Sequence, residues 1–271
     1  MPAAPPVVLT IAGSDSSCGA GAQADIKTIA ALGGYGLNAL TSVVSETPGR
    51  VSAIRVLDAE IIADQLRVLF AAFPVAAVKT GMLGGRAQVQ AVVAHWTALG
   101  SAAPPLVVDP VMVATGGGKL LADDAIGEIV SRLLPLARVI TPNMDEARVL
   151  SGAAIRTRDD MAACAGALNT RFGTAVLLKG GHLVCDEAAD VLCDAGTLRW
   201  FSAPRTHGVH THGTGCAYSA AIATGLAKGL PLPDAVAEGK RFITRAIGTH
   251  LAWRTEVGEV HALNHLAQGG A

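Results

Sequence analysis

The segment whose residues are best suited to catalysis is His-Thr-His-Gly-Thr-Gly-Cys, residues 210–216. Its glycines, Gly213 and Gly215, open a run of small residues that reads as a helix. The first amides of a helix have no partner within it, and the helix dipole adds positive charge at the same end. We therefore expect an anion site suited to a phosphoryl group in transfer. Cys216 falls in the first turn, where the pKa of a thiol is lowered.

Two other interpretations of this segment stay open. One is a tight turn followed by a buried cysteine, with no part in chemistry. The other is a zinc site, although a Gly-rich turn without a second ligand pair matches zinc-site spacing poorly. The ligands of that site would be His207, His210, His212 and Cys216.

Polar residues at other strand ends supply the remaining parts of a phosphoryl-transfer site. Asn143 and Glu146 share a face at the start of a helix, and oxygen ligands of this kind suit a hard cation bridged to phosphate. Alternatively, Glu146 binds no cation and only complements the positive end of the helix dipole. Asp109 can support the same ion or form an Asp-Pro turn. Lys179 can neutralise ATP phosphates or simply end a strand.

The elements that must position these residues are short apolar strands alternating with Ala/Leu-rich helices. This order predicts an α/β fold with a mostly parallel sheet, helices on both faces, and ligands beyond the carboxyl ends of the strands. No linker or repeat divides the chain, so we expect a single domain over residues 1–271. The predicted strands are 7–12, 38–44, 51–57, 75–79, 106–109, 138–140, 175–179, 190–193 and 197–201. The predicted helices are 20–32, 59–73, 86–98, 123–134, 143–151, 159–171, 213–228 and 232–250, the last two closing the chain.

Composition narrows the range of partners. Apolar residues make up 51% of the chain, charged residues 16%, and the formal net charge is −1. We therefore expect a sizeable core and no nucleic-acid or anionic-membrane partner. The five cysteines are scattered without metal-ligand spacing, which fits a reducing, cytoplasmic location. We see no signal peptide and no uninterrupted apolar run of membrane length.

With these residues in view, the chain resembles the ribokinase-like superfamily. Within it, the resemblance is to the hydroxymethylpyrimidine/phosphomethylpyrimidine kinases of thiamine biosynthesis, and it runs from about residue 7 through the helix after Cys216. The matching motifs are L-T-I-A-G-S-D-S at 9–16, G-A-G-A-Q-A-D-I-K-T at 19–28, K-T-G-M-L-G at 79–84, V-V-D-P-V-M-V-A at 107–114, T-P-N-M-D-E-A at 141–147, L-K-G-G-H at 178–182 and H-G-T-G-C at 212–216.

The resemblance implies a three-layer α/β/α sandwich, with ATP and Mg²⁺ as cofactors and a homodimer as the assembly. It implies transfer of the ATP γ-phosphate to the hydroxymethyl oxygen of 4-amino-5-hydroxymethyl-2-methylpyrimidine, then a second phosphorylation to the diphosphate. The resemblance implies that Cys216 is the base and that the amides of Gly213 to Cys216 form the anion hole. It implies that ATP is bound by Lys179, Asn143 and Thr214, and Mg²⁺ by Asp109 and Glu146. The implied contacts of the pyrimidine are Gly13, Ala20, Asp25, Glu46, Met82 and Val111.

Glu46 suits a pyrimidine because an acid can accept from the exocyclic amine and, if protonated, donate to a ring nitrogen. Without the resemblance, Glu46 reads as an exposed residue before a turn. Two positions depart from the family pattern: Cys18 replaces a usual glycine, and the loop at 116–118 is unusually rich in glycine. Many sugar kinases of the superfamily have Asp in place of Cys216, which favours the pyrimidine branch. A pyridoxal/pyridoxine kinase is the alternative function, and a non-catalytic binding module is a third.

Overall fold

The computed structural model describes residues 4–112, 121, 123–181, 183, 187–209, 212–256 and 258–267. Several features of the sequence lie outside these residues. They are residues 113 and 114 of the 107–114 motif, the glycine-rich loop at 116–118, His182, Cys185, His210 and Thr211.

A nine-stranded sheet forms the centre of the described structure. Its strands are β1 Val7–Asp15, β2 Tyr35–Thr47, β3 Arg50–Val56, β4 Val75–Thr80, β5 Leu106–Val108, β6 Val139–Ile140, β7 Ala175–Lys179, β8 Glu187–Asp194 and β9 Thr197–Pro204. They lie in the order β3-β2-β1-β4-β5-β6-β7-β8-β9. The strands from β2 to β7 in this order run parallel. At one edge β3 pairs antiparallel with β2, and at the other β8 pairs antiparallel with β7 and β9 with β8. The predicted mostly parallel sheet is confirmed.

Helices cover both faces of this sheet. They are α1 Gly21–Ala31, α2 Ala59–Ala72, α3 Arg86–Leu99, α4 Asp123–Glu128, α5 Met144–Ser151, α6 Arg158–Phe172, α7 Thr214–Ala227 and α8 Leu232–Gly248. Helices α2 to α6 share one hydrophobic core with the sheet, and α1, α7 and α8 share the other. On β1, Leu9 faces the first core and Val8 the second, and both are fully buried. Burial on two faces explains why the strands are continuously apolar.

The carboxyl ends of the parallel strands meet at one edge of the sheet. Strand β1 lies between β2 and β4, so the chain leaves β1 toward one side of the sheet and leaves β4 toward the other. Such a change of direction opens a crevice where ligands bind in this class of fold. Helix α7 packs against β1, β4 and β5 and begins at this crevice. Its residues Ala217 to Gly225 are all buried. Most of them have small side chains, which let the helix approach the sheet closely.

One sequence expectation about the elements is confirmed in position but changes helix type along its length, and another is wrong. The predicted helix at 123–134 is three short pieces: α4, a π-helical turn at Ile129–Leu133 and a 3₁₀ turn at Leu134–Leu136. Pro135 explains the last break, because proline cannot donate its amide within a helix. The chain also does not end on two helices. An antiparallel hairpin, β10 Leu251–Thr255 and β11 Gly258–Ala262, follows them. No helix that the structure describes is long and apolar enough to cross a bilayer.

Candidate active site

Gly213 determines how helix α7 begins. It is the residue before the first turn, its φ is 80°, and no side chain caps the helix. A Cβ at this position would collide with the carbonyl oxygen of Gly19. Glycine is therefore required both by the left-handed conformation and by the close approach of the first loop. The first turn, with Thr214 and Gly215, is left without a capping side chain, as the predicted anion hole requires.

The first turn of α7 packs against Lys179 and Asp109. A Cβ built on Gly215 would lie 3.0 Å from Lys179 Nζ and 3.6 Å from Asp109 Oδ2. Lys179 Nζ donates to Asp109 Oδ1 at 3.0 Å, and Ser219 Oγ donates to Asp109 Oδ2 at 3.3 Å. Burial acts to lower the pKa of Lys179, but the charges of Asp109 and Glu146 raise it. The structure therefore brings a charged amine and a carboxylate to the start of α7.

Asn143 and Glu146 form a capping box at the start of α5. Asn143 Oδ1 accepts from the Glu146 amide at 2.9 Å, and Glu146 Oε2 accepts from the Asn143 amide at 2.9 Å. Glu146 Oε1 accepts from the Met112 amide at 3.2 Å. Burial and the nearby charge of Asp109 raise the pKa of Glu146 to about 7. Asn143 thus has a structural task, and its predicted contact with ATP stays a prediction.

The charge balance around Asp109 and Glu146 fits a divalent cation. Two buried carboxylates face the single amine of Lys179, and their mutual repulsion shows in the raised pKa of Glu146. A cation would offset this repulsion. Mg²⁺ bound to phosphate oxygens needs only one or two carboxylates, because water fills the other positions. Both acids keep lone pairs beyond the hydrogen bonds described above.

Gly13 and Met82, two of the predicted pyrimidine contacts, pack against each other. A Cβ on Gly13 would lie 2.9 Å from Met82 Cε and 2.5 Å from Ser42 Oγ, so no side chain fits there. The Ala20 amide donates to Asp15 Oδ2 at 2.7 Å, which fixes the turn into α1. The structure thus gathers Gly13 and Met82 where β1 ends and fixes Ala20 in the turn that follows.

His212 lies beside two carboxylates at this edge. Its Nε2 is 3.4 Å from Asp15 Oδ2 and 3.7 Å from Glu46 Oε2. Burial acts to raise the pKa of Asp15, but the adjacent His212 side chain and hydrogen bonds from Ser17 and the Ala20 amide lower it to about 2. Burial and the charge of Asp15 raise the pKa of Glu46. Glu46 is therefore the acid that protonates more readily, as a hydrogen bond to a ring nitrogen requires.

The alternative zinc site gains no support from the described residues. His212 lies beside Asp15 and Glu46, and these three form the one group of three or more His, Cys, Asp or Glu side chains among the described residues whose ligand atoms lie within 4.8 Å of one another. His207 is exposed, and His210 lies outside the description.

Asp25 is buried more deeply than a side chain that lines a pocket would be. It is fully buried, and its Oδ2 accepts from Lys79 Nζ at 2.7 Å and from Thr10 Oγ1 at 2.5 Å. Lys79 comes from β4 and is fully buried as well. The predicted contact of Asp25 with the pyrimidine stays a prediction, and the ion pair gives it a partner that the sequence did not suggest.

The pKa of the Cys216 thiol is not lowered, although its place in the first turn of a helix predicts that it is. Burial raises the pKa of Cys216 to about 11, although the charge of Lys79 opposes the shift. Asp25 and Asp109 add to the increase. The expected lowering is therefore wrong, because burial outweighs the positive end of the helix. Before substrate binds, Cys216 is mainly a thiol.

Val111, another predicted pyrimidine contact, has an unusual backbone. Its φ is 44°, in the left-handed region that β-branched residues rarely enter. Such strain persists only where the surroundings enforce it, and it is common at functional sites. The amide of the next residue, Met112, is held by Glu146. Val111 is therefore linked, through the amide of Met112, to Glu146, one of the two acids that fit a divalent cation.

A cavity of about 210 Å³ borders the first loop. Residues Ser17 to Gly19 and His212 line it, and Trp253 and His261 of the β10–β11 hairpin contribute as well. The hairpin that the sequence analysis missed therefore helps to enclose this end of the site. A larger depression of about 550 Å³ lies near the amino ends of β5 and β6, away from these residues.

Lys79 and Asp15 are the main residues of the site that sequence reasoning passed over. Both stand in motifs quoted above, but neither received a role. A lysine in the largely apolar strand Val75–Thr80 is a usable signal, because buried lysines need a partner. An aspartate followed by serines is a common turn signal, and Asp15 Oδ1 does accept from the Ser17 amide at 2.7 Å.

Known proteins match this chain along most of its length. The family described as phosphomethylpyrimidine kinase matches residues 15–261. The hydroxymethylpyrimidine/phosphomethylpyrimidine kinase of Rhizobium meliloti is 44% identical over 254 residues, 93% of this chain and 94% of that protein. The thiamine biosynthesis bifunctional protein ThiED of Geobacter sulfurreducens is 45% identical over 89% of this chain, which spans about half (49%) of that protein. Bacillus subtilis pyridoxal kinase in complex with ADP has a TM-score of 0.88 and 35% identity, covering 97% of this chain and 98% of its own.

Proposed function

The chain belongs to the phosphomethylpyrimidine kinase family, and from that premise we propose that it transfers the γ-phosphoryl group of ATP to the hydroxymethyl oxygen of 4-amino-5-hydroxymethyl-2-methylpyrimidine. A second transfer, to the resulting monophosphate, gives the diphosphate used in thiamine biosynthesis. The observation that carries this proposal is the meeting of Lys179 and Asp109 with the uncapped first turn of α7.

The α7 end of the site supplies the positive charge that phosphoryl transfer needs. Lys179 Nζ lies beside Gly215, so in this proposal it acts with the amides of Gly213 to Cys216 on the same phosphoryl oxygens. They stabilise the charge on the phosphoryl group during its transfer, which is most of what a protein contributes to this reaction. Asp109 and Glu146 would hold Mg²⁺, which would supply further charge neutralisation on the ATP phosphates.

Cys216 receives the proton of the substrate hydroxyl. As a thiolate it takes that proton, so the O–H bond breaks and an S–H bond forms. The freed oxygen bonds to the γ-phosphorus, and the bond from that phosphorus to ADP breaks. The proton leaves Sγ for solvent before the next turnover. The raised pKa of Cys216 means that the thiolate is a minor species, so the groups that stabilise it matter for the rate.

Glu46 selects the pyrimidine. Its raised pKa makes protonation easier than for an ordinary glutamate. When protonated, the carboxyl would donate to a ring nitrogen while its other oxygen accepts from the exocyclic amine. Pyridoxal has no such amine beside a ring nitrogen. The likeness to a pyridoxal kinase keeps that activity as the second candidate.

A steady-state assay of ADP release with each alcohol tests the proposed function. We expect a higher kcat/KM for the pyrimidine than for pyridoxal. A much higher kcat/KM for pyridoxal would replace the proposed function by the second candidate. Tight pyrimidine binding without ATP consumption in Mg²⁺-supplied protein would instead identify a binding module.

We further propose a single domain, a cytoplasmic location and a homodimer. The free thiols of Cys18, Cys164, Cys193 and Cys216 support a reducing compartment. Apolar side chains exposed on the edge hairpin of β2 and β3, Val51 and Ile54 among them, support pairing with a second copy. Sedimentation velocity measures the assembly, and a monomer at all concentrations would contradict the homodimer.

A further inference from the structure

A buried ion pair that the proposed reaction does not use lies beside Lys179. Lys240 Nζ of α8 donates to Asp190 Oδ2 of β8 at 2.7 Å, and the two side chains are only 10% and 4% exposed. Burying two charges costs hydration that their attraction often does not repay, so such a pair is weak evidence for a stabilising role. The position of this pair in the fold points to another role.

Asp190 lies directly opposite Lys179 in the antiparallel pairing of β7 and β8. Residues opposed in this way project from the same face of the sheet, with Cβ atoms about 4.5–5.5 Å apart. Helix α7 packs on that face, because Lys179 Nζ lies beside Gly215. Helix α8 packs there as well, because Lys240 reaches Asp190 from it. A lysine has a flexible four-carbon stem, so the carboxylate of Asp190 is within reach of the Lys179 amine.

The Lys179 amine nevertheless turns to a different acid. Its Nζ donates to Asp109 Oδ1 at 3.0 Å, and among the described residues Asp109 is its one ion-pair partner. Both oxygens of Asp190 are already occupied: Oδ2 accepts from Lys240, and Oδ1 accepts from the Gly180 amide at 3.0 Å. Coulomb attraction follows net charge, so a carboxylate paired with one ammonium attracts a second one much less. The pair therefore leaves Lys179 free to face the start of α7.

We propose that Lys240 is a positioning residue that neutralises Asp190 and so keeps the Lys179 amine at the start of α7. The placement of the amine is a property of the fold alone, whereas its effect on the rate rests on the proposed function. Lys240 touches neither ATP nor the pyrimidine in this proposal. It acts through Asp190 and Lys179.

Lys240→Met tests the proposal by leaving Asp190 as an unpaired buried carboxylate opposite Lys179. We expect Lys179 Nζ to move from Asp109 to Asp190, which crystal structures of the unliganded wild type and variant show directly. A displacement of about 1 Å can cost about 100-fold in rate, so we expect kcat to fall at least about tenfold. The KM for the pyrimidine should change little, because Lys179 acts at the phosphoryl group.

The double variant Asp190→Asn/Lys240→Met separates positioning from stability. It removes both charges, and the asparagine oxygen can still accept from the Gly180 amide. Nothing then draws Lys179 away, so we expect kcat to recover most of its wild-type value. Stability can recover too, because the core no longer holds a lone charge. Each kcat is therefore measured well below the melting temperature of the variant, where the protein is folded.

Two further variants complete the set. Lys240→Gln keeps a hydrogen-bond donor for Asp190 and removes only the charge, so it serves where Lys240→Met does not fold, and we expect the same changes from it. Lys228→Met is the matched control, because Lys228 pairs with Glu238 of α8 at 3.4 Å at the other end of α7. It removes an ion pair between the same two helices and should leave kcat unchanged.

A Lys179 amine that stays on Asp109 in the folded single variants would overturn the proposal. So would an amine that moves without a loss of kcat, or a double variant no more active than the single ones. If the amine moves as expected but the wild type does not phosphorylate the pyrimidine, the positioning stands and the proposed function fails. If the wild type is active and the amine stays in place, the proposed function stands and this inference fails.

Discussion

Replacing Gly215 by alanine should separate stability from activity. Position 215 is in the first turn of α7, where alanine favours the helix over glycine by up to about 1 kcal/mol. The new Cβ would lie 3.0 Å from Lys179 Nζ. Because such contacts settle near 3.5–4.0 Å, the amine must move by roughly 0.5 Å or more. A misplacement of about 1 Å can cost about 100-fold in rate, so we expect kcat to fall about 10- to 100-fold.

The assay pairs thermal unfolding with steady-state kinetics, and Gly166→Ala is the control. Gly166 is also a helical glycine, but a Cβ there meets nothing within 4 Å. Both substitutions should leave the melting temperature unchanged or raise it, by about 2–4 °C per kcal/mol. Only Gly215→Ala should lose activity. Wild-type kcat in a stable Gly215→Ala protein would refute the placement of Lys179 at the transferred phosphoryl group.

Three further predictions test other parts of the site. Cys216→Ala should lower kcat by about 10²–10⁴-fold with little change in the KM for ATP, and an unaffected kcat would mean that the thiol only shapes the turn. Glu46→Ala should raise the KM for the pyrimidine far more than the KM for ATP, whereas equal effects would place Glu46 outside the pocket. Cys18→Gly should raise the free energy of unfolding by about 1 kcal/mol, because Cys18 has a φ of 56°, which costs a non-glycine residue about 1–2 kcal/mol. A lower melting temperature for this variant would contradict that reasoning.

The fold was largely predictable because its main signals are local. Apolar runs such as Val75–Thr80 and small-residue helices such as α7 alternate along the chain, and alternation dictates a parallel sheet. The break after α4 and the final hairpin were not predictable in the same way. The hairpin lies outside the main sheet, and its strand β10 is exposed throughout, so no buried stripe marks it in the sequence.

Within the site, the sequence predicts which residues come together better than it predicts their pKa values. Lys179 and Asp109 could be placed together because both lie at the carboxyl ends of parallel strands, which meet at one edge. The pKa of Cys216 could not be anticipated, because it depends on burial and on charges distant in sequence, Lys79 and Asp25. The unusual φ of Cys18 is the physical reason for a usual glycine at that position, and only the backbone reveals it.

The most direct test of the central claim is to identify the products formed from the pyrimidine alcohol. The purified protein is incubated with this alcohol, excess ATP and Mg²⁺, and the mixture is followed by ³¹P NMR and mass spectrometry. We predict that the monophosphate appears first and the diphosphate follows, with one ADP released per phosphoryl group transferred. If no pyrimidine phosphate forms while pyridoxal is converted to its phosphate under the same conditions, the claim is contradicted.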